Sequence, residues 1–176
     1  AGQSFGANVR LDTDPAGSHL SMFPKVTAEG DKAWVAWEDW RNGAPSNNAD
    51  VYVNFTTDCG ATWLSSDIKV RSFINTESAG AHVPALPSIT VSNDVVAVAW
   101  KDNRNGNADI YVDRSTDGGV TWLDEDIRVS RRTPGVNARS SQSIVADDDK
   151  FYVLWNESPN INSQDLYFNI PWGAQD

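Results

Sequence analysis

One cysteine, one methionine and two histidines, in 176 residues, exclude several kinds of chemistry. A single thiol, Cys59, allows neither a disulfide framework nor a thiolate zinc cluster. No run of about 18 apolar residues occurs, so no segment reads as a transmembrane helix and no membrane partner is implied. Basic residues are outnumbered 24 to 14, and a net charge of −10 repels phosphate backbones, which sets nucleic acid aside. Nothing in the pattern implies a metal or a cofactor; Asp147, Asp148 and Asp149 read as a solvated hairpin tip. The chain starts at Ala1 without methionine or a basic–apolar leader, and the expectation is a secreted or periplasmic protein.

What is present is repetition. Of the chain, 40% is hydrophobic, with eight tryptophans, enough for a sizeable core. "DKAWVAWEDWRNG" begins at Asp31, "DVVAVAWKDNRNG" at Asp94 and "DKFYVLWNESPN" at Asp149. Each is preceded by a short apolar segment and followed by a second valine- and tyrosine-rich run, "ADVYVNF", "ADIYVDR" and "QDLYFNI". Alternation and β-branched content predict strands, not helices. A further strand follows as "DIKVRS" and "DIRVSR", and the N-terminus carries it too, as "NVRLDT". Val9, Ile68 and Ile127 are each 59 residues apart. The predicted order is therefore one lone fourth strand, two complete four-stranded units, and a third unit lacking its fourth strand. Repeated four-stranded units imply an all-β propeller with three blades per chain. The expected divisions are 1–17 for the lone fourth strand, 18–72 for blade 1, 73–131 for blade 2 and 132–176 for blade 3.

Two eight-residue stretches, "TTDCGATW" from Thr56 and "STDGGVTW" from Ser115, also lie 59 apart. Asp58, Gly60, Thr62 and Trp63 match Asp117, Gly119, Thr121 and Trp122. The pattern resembles the Asp-box of sialidase-like propellers. The resemblance covers three blades, and it implies a structural turn between third and fourth strands, on the face opposite the family's active site. Asp suits such a turn because its carboxylate caps nearby amides, and Gly because it accepts positive φ.

Sialidases resemble this fold and hold their substrate carboxylate with arginines, the first in a Phe/Tyr-Arg-Ile-Pro motif. Here "SMFP", "PALP" and "RSSQ" stand at that place, with Met22, Ala85 and Ser140 at the arginine position and Arg139 one residue out of phase. The expectation therefore leans against enzymatic activity and towards a glycan-binding, lectin-like module, with a hydrolase of non-standard site as the alternative and a scaffold or a fragment of a larger propeller as a third reading.

The ligand candidates come from loops on one face. Loop 38–50 in blade 1 and loop 72–86 entering blade 2 are the longest of their kinds. Trp40, Asn47, Asn48, Ser78 and His82 offer an aromatic platform and short polar groups, as a sugar needs. Asp39 with Arg41, and Asp102 with Arg104, share the frame Trp-x-Asp-x-Arg-Asn-Gly; they are candidates too, although an in-phase pair also suits loop bracing. His19 is the in-phase counterpart of His82. Finally, three blades are too few to close a ring, so the expected partner is a second copy, giving a homodimeric six-bladed ring.

Overall fold

A computed structural model describes residues 6–42, 49–70, 85–105, 108–130, 138–148, 150–160 and 163–172. Their strands form three antiparallel sheets. Blade 1 contains β1 (Ser21–Glu29), β2 (Lys32–Asp39), β3 (Asp50–Thr56) and β4 (Ile68–Val70), in that spatial order. Blade 2 repeats it with β5 (Ala85–Ser92), β6 (Val95–Asp102), β7 (Asp109–Ser115) and β8 (Ile127–Arg128). Blade 3 is three-stranded, with β10 (Lys150–Asn160) between β9 (Ala138–Asp147) and β11 (Ser163–Trp172). The fourth strands are shorter than the sequence implies, with β8 pairing through Tyr111–Arg128 and Val112–Ile127 alone. Residues 6–20 form no strand, so "NVRLDT" has no sheet of its own within the chain.

Strand alternation decides how the sheets stack. In β6, Val96, Val98 and Trp100 join a core with Trp34, Ala36, Val51, Val53 and Phe55 of blade 1. The intervening Ala97 and Ala99, with Ile110 and Val112 of β7, join a second core with Phe151, Val153 and Trp155 of blade 3. Blade 2 is thus buried on both faces, which is why β6 reads as an unbroken apolar run. In each blade the tryptophan ending the second strand (Trp37, Trp100 and Trp155) lies on the face turned towards the preceding blade. Each stacks on the tyrosine opposite, Tyr52, Tyr111 and Tyr167, at centroid distances of 6.3, 6.4 and 6.0 Å.

Polar contacts fasten the blades at one edge. The Glu29 carboxylate accepts the Asn93 and Asp94 amides at 2.9 and 3.0 Å, and Lys32 pairs with Asp94 at 2.5 Å. Trp34 Nε1 donates to the Gly118 carbonyl at 2.7 Å. Between blades 2 and 3, the Ile144 and Ala146 amides donate to Ser88 Oγ and Thr90 Oγ1.

The two repeated turns have one geometry. Asp58 Oδ1 accepts the Thr62 amide at 2.8 Å and the Thr56 hydroxyl at 2.7 Å, while Oδ2 accepts the Thr62 hydroxyl at 2.6 Å. Asp117 does the same with Thr121 and Ser115. The bonds from Thr62 lower the Asp58 carboxyl to about 2, and those from Ser115 and Thr121 lower Asp117 to about 2. The turns lie beside the hairpins joining first and second strands, as the Cys59 amide on Asp31 O and the Gly118 amide on Asp94 O show.

Gly60 and Gly119 have φ of 84° and 96°, which other residues adopt only under strain. A Cβ at Gly60 would come no closer than 3.9 Å to Trp63, whereas one at Gly119 would lie 3.1 Å from Nε1 of fully buried Trp34. Gly60→Ala should therefore cost about 1 kcal/mol from backbone strain alone, and Gly119→Ala about 2–3 kcal/mol. Urea unfolding midpoints measure the difference; equal losses would show that the contact between Trp34 and the turn is slack.

Candidate functional site

The opposite face is built by the starts of the first strands and the ends of the second. The Trp40 amide donates to the Leu20 carbonyl at 3.0 Å, tying the exit of β2 to the entry of β1. There β1 and β5 both break register, between Met22 and Lys25 and between Ala85 and Ser88. Within these bulges Phe23 and Leu86 take φ of 54° and 57°. A bulky residue in the left-handed region is strained, and such strain gathers where backbone is shaped for a task. Phe23 and Leu86 are also 46% and 38% exposed. Gln142 of blade 3 donates its side-chain amide to the Leu86 carbonyl.

Glu38 ends β2 on the side turned towards blade 2, and it is 2% exposed. Its Oε1 accepts the Trp40 indole N–H at 2.9 Å, while Oε2 is buried without a well-formed hydrogen bond. Burial raises its pKa; the Trp40 indole, the Leu86 backbone and more distant Lys101 only partly oppose this. Burial therefore favours the protonated form of this carboxyl over the ionised one, beside a half-buried indole. Sequence reasoning missed Glu38. Its signal was there: the in-phase positions are Glu38, Lys101 and Asn156, the place where the repeated frame changes charge.

The Asp/Arg pairs are drawn inwards. Arg41 grips Asp39 through Nε at 2.9 Å and NH2 at 2.8 Å, reaches Asp67 at 2.7 Å, and lies 4.1 Å over the Tyr52 ring. Arg104 repeats this with Asp102 at 2.6 Å, Asp126 at 2.8 Å and Tyr111 at 3.9 Å. Burial opposes ionisation of Asp39, but hydrogen bonds from Arg41 and Trp37 outweigh it and hold the carboxyl low. These groups bind each other through donors and acceptors that a ligand would otherwise use, which fits loop bracing. Blade 3 puts Glu157, 1% exposed, at the aspartate position. His19 lies 3.0 Å from Asp14, below the first strand's entry. Asn47, Asn48, Ser78 and His82 lie outside the described residues. Of the sequence-derived candidates in the described structure, Trp40 is the partly exposed one whose side chain is not drawn into an Asp/Arg pair.

No family model matches the chain, and no curated protein matches it. Solved structures do. A family 117 glycoside hydrolase from the marine bacterium Zobellia galactanivorans aligns with a TM-score of 0.56 at 12% identity, over 92% of this chain and 56% of that one. A family 93 α-L-arabinofuranosidase of Fusarium graminearum gives 0.57 at 14%, over 91% and 48%. Trypanosoma rangeli sialidase gives 0.53 at 10%, over 84% and 30%. The chain thus spans about half the length, or less, of these proteins, and it shares their β-propeller fold. One expectation is corrected here. The lean against enzymatic activity rested on a missing arginine motif, yet the neighbours in fold are glycoside hydrolases of several kinds. The motif concerns the clamp on a sialic acid carboxylate, and its absence says nothing against hydrolysis of other sugars.

The raised Glu38 pKa has a definite consequence for stability. The folded chain binds this proton more tightly than the unfolded chain, so stability falls as pH rises from the ordinary carboxylate value to the folded one. Glu38→Gln removes that fall and keeps an acceptor for Trp40. The variant should melt higher than the parent at about pH 8 and show little or no such gain at about pH 4. Thermal melts at both pH values check this; a variant less stable at both would show Glu38 to be ionised and held.

Proposed function

We propose that this chain supplies three blades of a carbohydrate-recognising propeller, with a neutral sugar held on the loop face where blade 1 meets blade 2. The supporting observation is the pair formed by Trp40 and Glu38: a half-buried indole fixed through its N–H by a buried carboxyl. An indole plane packs on the C–H face of a sugar ring, and the buried carboxyl fixes the angle at which this indole is presented. A net charge of −10 and the absence of arginine at positions 22, 85 and 140 favour a neutral glycan over an acidic one. A secreted or periplasmic setting, where glycans are met, belongs to the same reading.

Glu38 favours a second reading, hydrolysis. A carboxyl with a raised pKa is suited to protonating a glycosidic oxygen, and the buried Oε2 of Glu38 would reach one once Trp40 or the Leu86 backbone moves aside. In this reading Glu38→Gln lowers kcat on aryl glycosides of neutral sugars and spares KM.

A glycan array followed by calorimetry on the best ligand tests the recognition itself. Trp40→Ala should weaken binding by at least tenfold while circular dichroism stays unchanged. Binding indifferent to Trp40, yet lost when Asp58 or Asp117 is replaced, would move the site to the opposite face and overturn the proposal.

A further inference from the structure

Among the described residues, one face of blade 1 and one face of blade 3 have no sheet packed on them. On blade 3, Val145, Leu154, Leu166, Phe168 and Ile170 are 58%, 38%, 66%, 58% and 43% exposed, beside Tyr152 stacked on Phe168 at 5.9 Å. Register places Tyr152 opposite Val145, and Leu154 opposite Phe168, so these side chains share one face. It is the face that in blades 1 and 2 packs on the following blade. On blade 1 the other face carries Val26, 69% exposed, opposite Val35 and in line with Trp37. It has the tryptophan–tyrosine pattern by which blades 2 and 3 receive the blade before them. A contiguous apolar face of this size on a soluble protein marks an interface.

The N-terminal segment says what covers them. Asn169 of β11 donates its side-chain amide to the Val129 carbonyl, in the run that continues the fourth strand of blade 2. The in-phase residue of blade 1, Asn54, donates to the Leu11 carbonyl at the same 3.2 Å. Leu11 and Val129 are 118 residues apart, twice the 59-residue repeat of the fourth strands. Residues 8–13 therefore lie against blade 1 in the place that the fourth strand of a preceding blade would take. Blade 3 has the complementary gap: its third strand, β11, has no fourth strand beside it among the described residues.

We propose that two copies of this chain close a six-bladed ring, the N-terminal segment of each running as the fourth strand of the other's third blade. The arrangement is two-fold symmetric and closed, with blade 3 of each copy on blade 1 of the other. It covers both apolar faces and gives segment 8–13 and β11 their missing strand partner. The internal junction also specifies a contact at the new one. Lys32 of blade 1 pairs with Asp94 of blade 2. Their in-phase equivalents are Lys150 in blade 3 and Asp31 in blade 1, so Lys150 of one copy should face Asp31 of the other.

Sedimentation of the full chain at micromolar concentration should give twice the 19.3 kDa chain mass. Leu166→Glu with Phe168→Glu, and separately Val26→Asp, should each give a folded monomer, because these side chains are exposed in the single chain. A carbodiimide, which joins amines to carboxylates without a spacer, should link Lys150 to Asp31 between differently isotope-labelled copies of the unaltered protein. This readout stands even if a variant fails to fold. A monomeric parent chain, a dimer that survives both sets of substitutions, or a dimer without that link would each overturn the proposal.

Discussion

Everything in this fold depends on one constraint: a sheet that is apolar on both faces must be covered on both faces. The middle blade meets it fully. Its second strand sends Val96, Val98 and Trp100 one way and Ala97 and Ala99 the other, so each neighbour meets a different surface. The small alanines admit the large Phe151 and Trp155, as Val98 and Trp100 admit Trp34. Direction around the arc follows from this, since every blade has a tryptophan face turned back and a second face turned forward. Polar contacts at the hairpins, from Glu29 to Asn93 and from Trp34 to the Gly118 carbonyl, fix the register of one blade on the next.

The same packing positions the loop face. The tryptophan–tyrosine stacks lie directly beneath the Arg41 and Arg104 guanidiniums, which in turn hold two aspartates each. A buried arginine between two carboxylates is costly to break because an uncompensated charge would remain. It therefore makes the exits of the second strands rigid. On that base the glutamate at position 38 and the indole at position 40 are held where two blades meet, next to the strained backbone of Leu86.

Much of the architecture was legible in the sequence, because a propeller repeats its physics, here every 55 to 63 residues. Alternation gave the strands, and in-phase tryptophans marked the second strand of each sheet; the segment around Val9, expected as a strand by its spacing from Ile68 and Ile127, forms none within the described chain. The site was less legible. Glu38 looks like any charged residue in "WEDW" until the neighbouring blade buries it. Phe23 and Leu86 carry no turn signature; their positive φ follows from bulges in the first strands that no residue type announces. Arg41 and Arg104 looked available for a ligand because sequence cannot show that Asp67 and Asp126 come back from a later strand to meet them.

Differential scanning calorimetry tests the central claim, that adjacent blades share one continuous packing through β6, most directly. The account predicts a single transition, without a resolved second component, which Trp34→Ala lowers as a whole. Two resolved transitions, one of them untouched by Trp34→Ala, would mean that the blades fold separately and would contradict it.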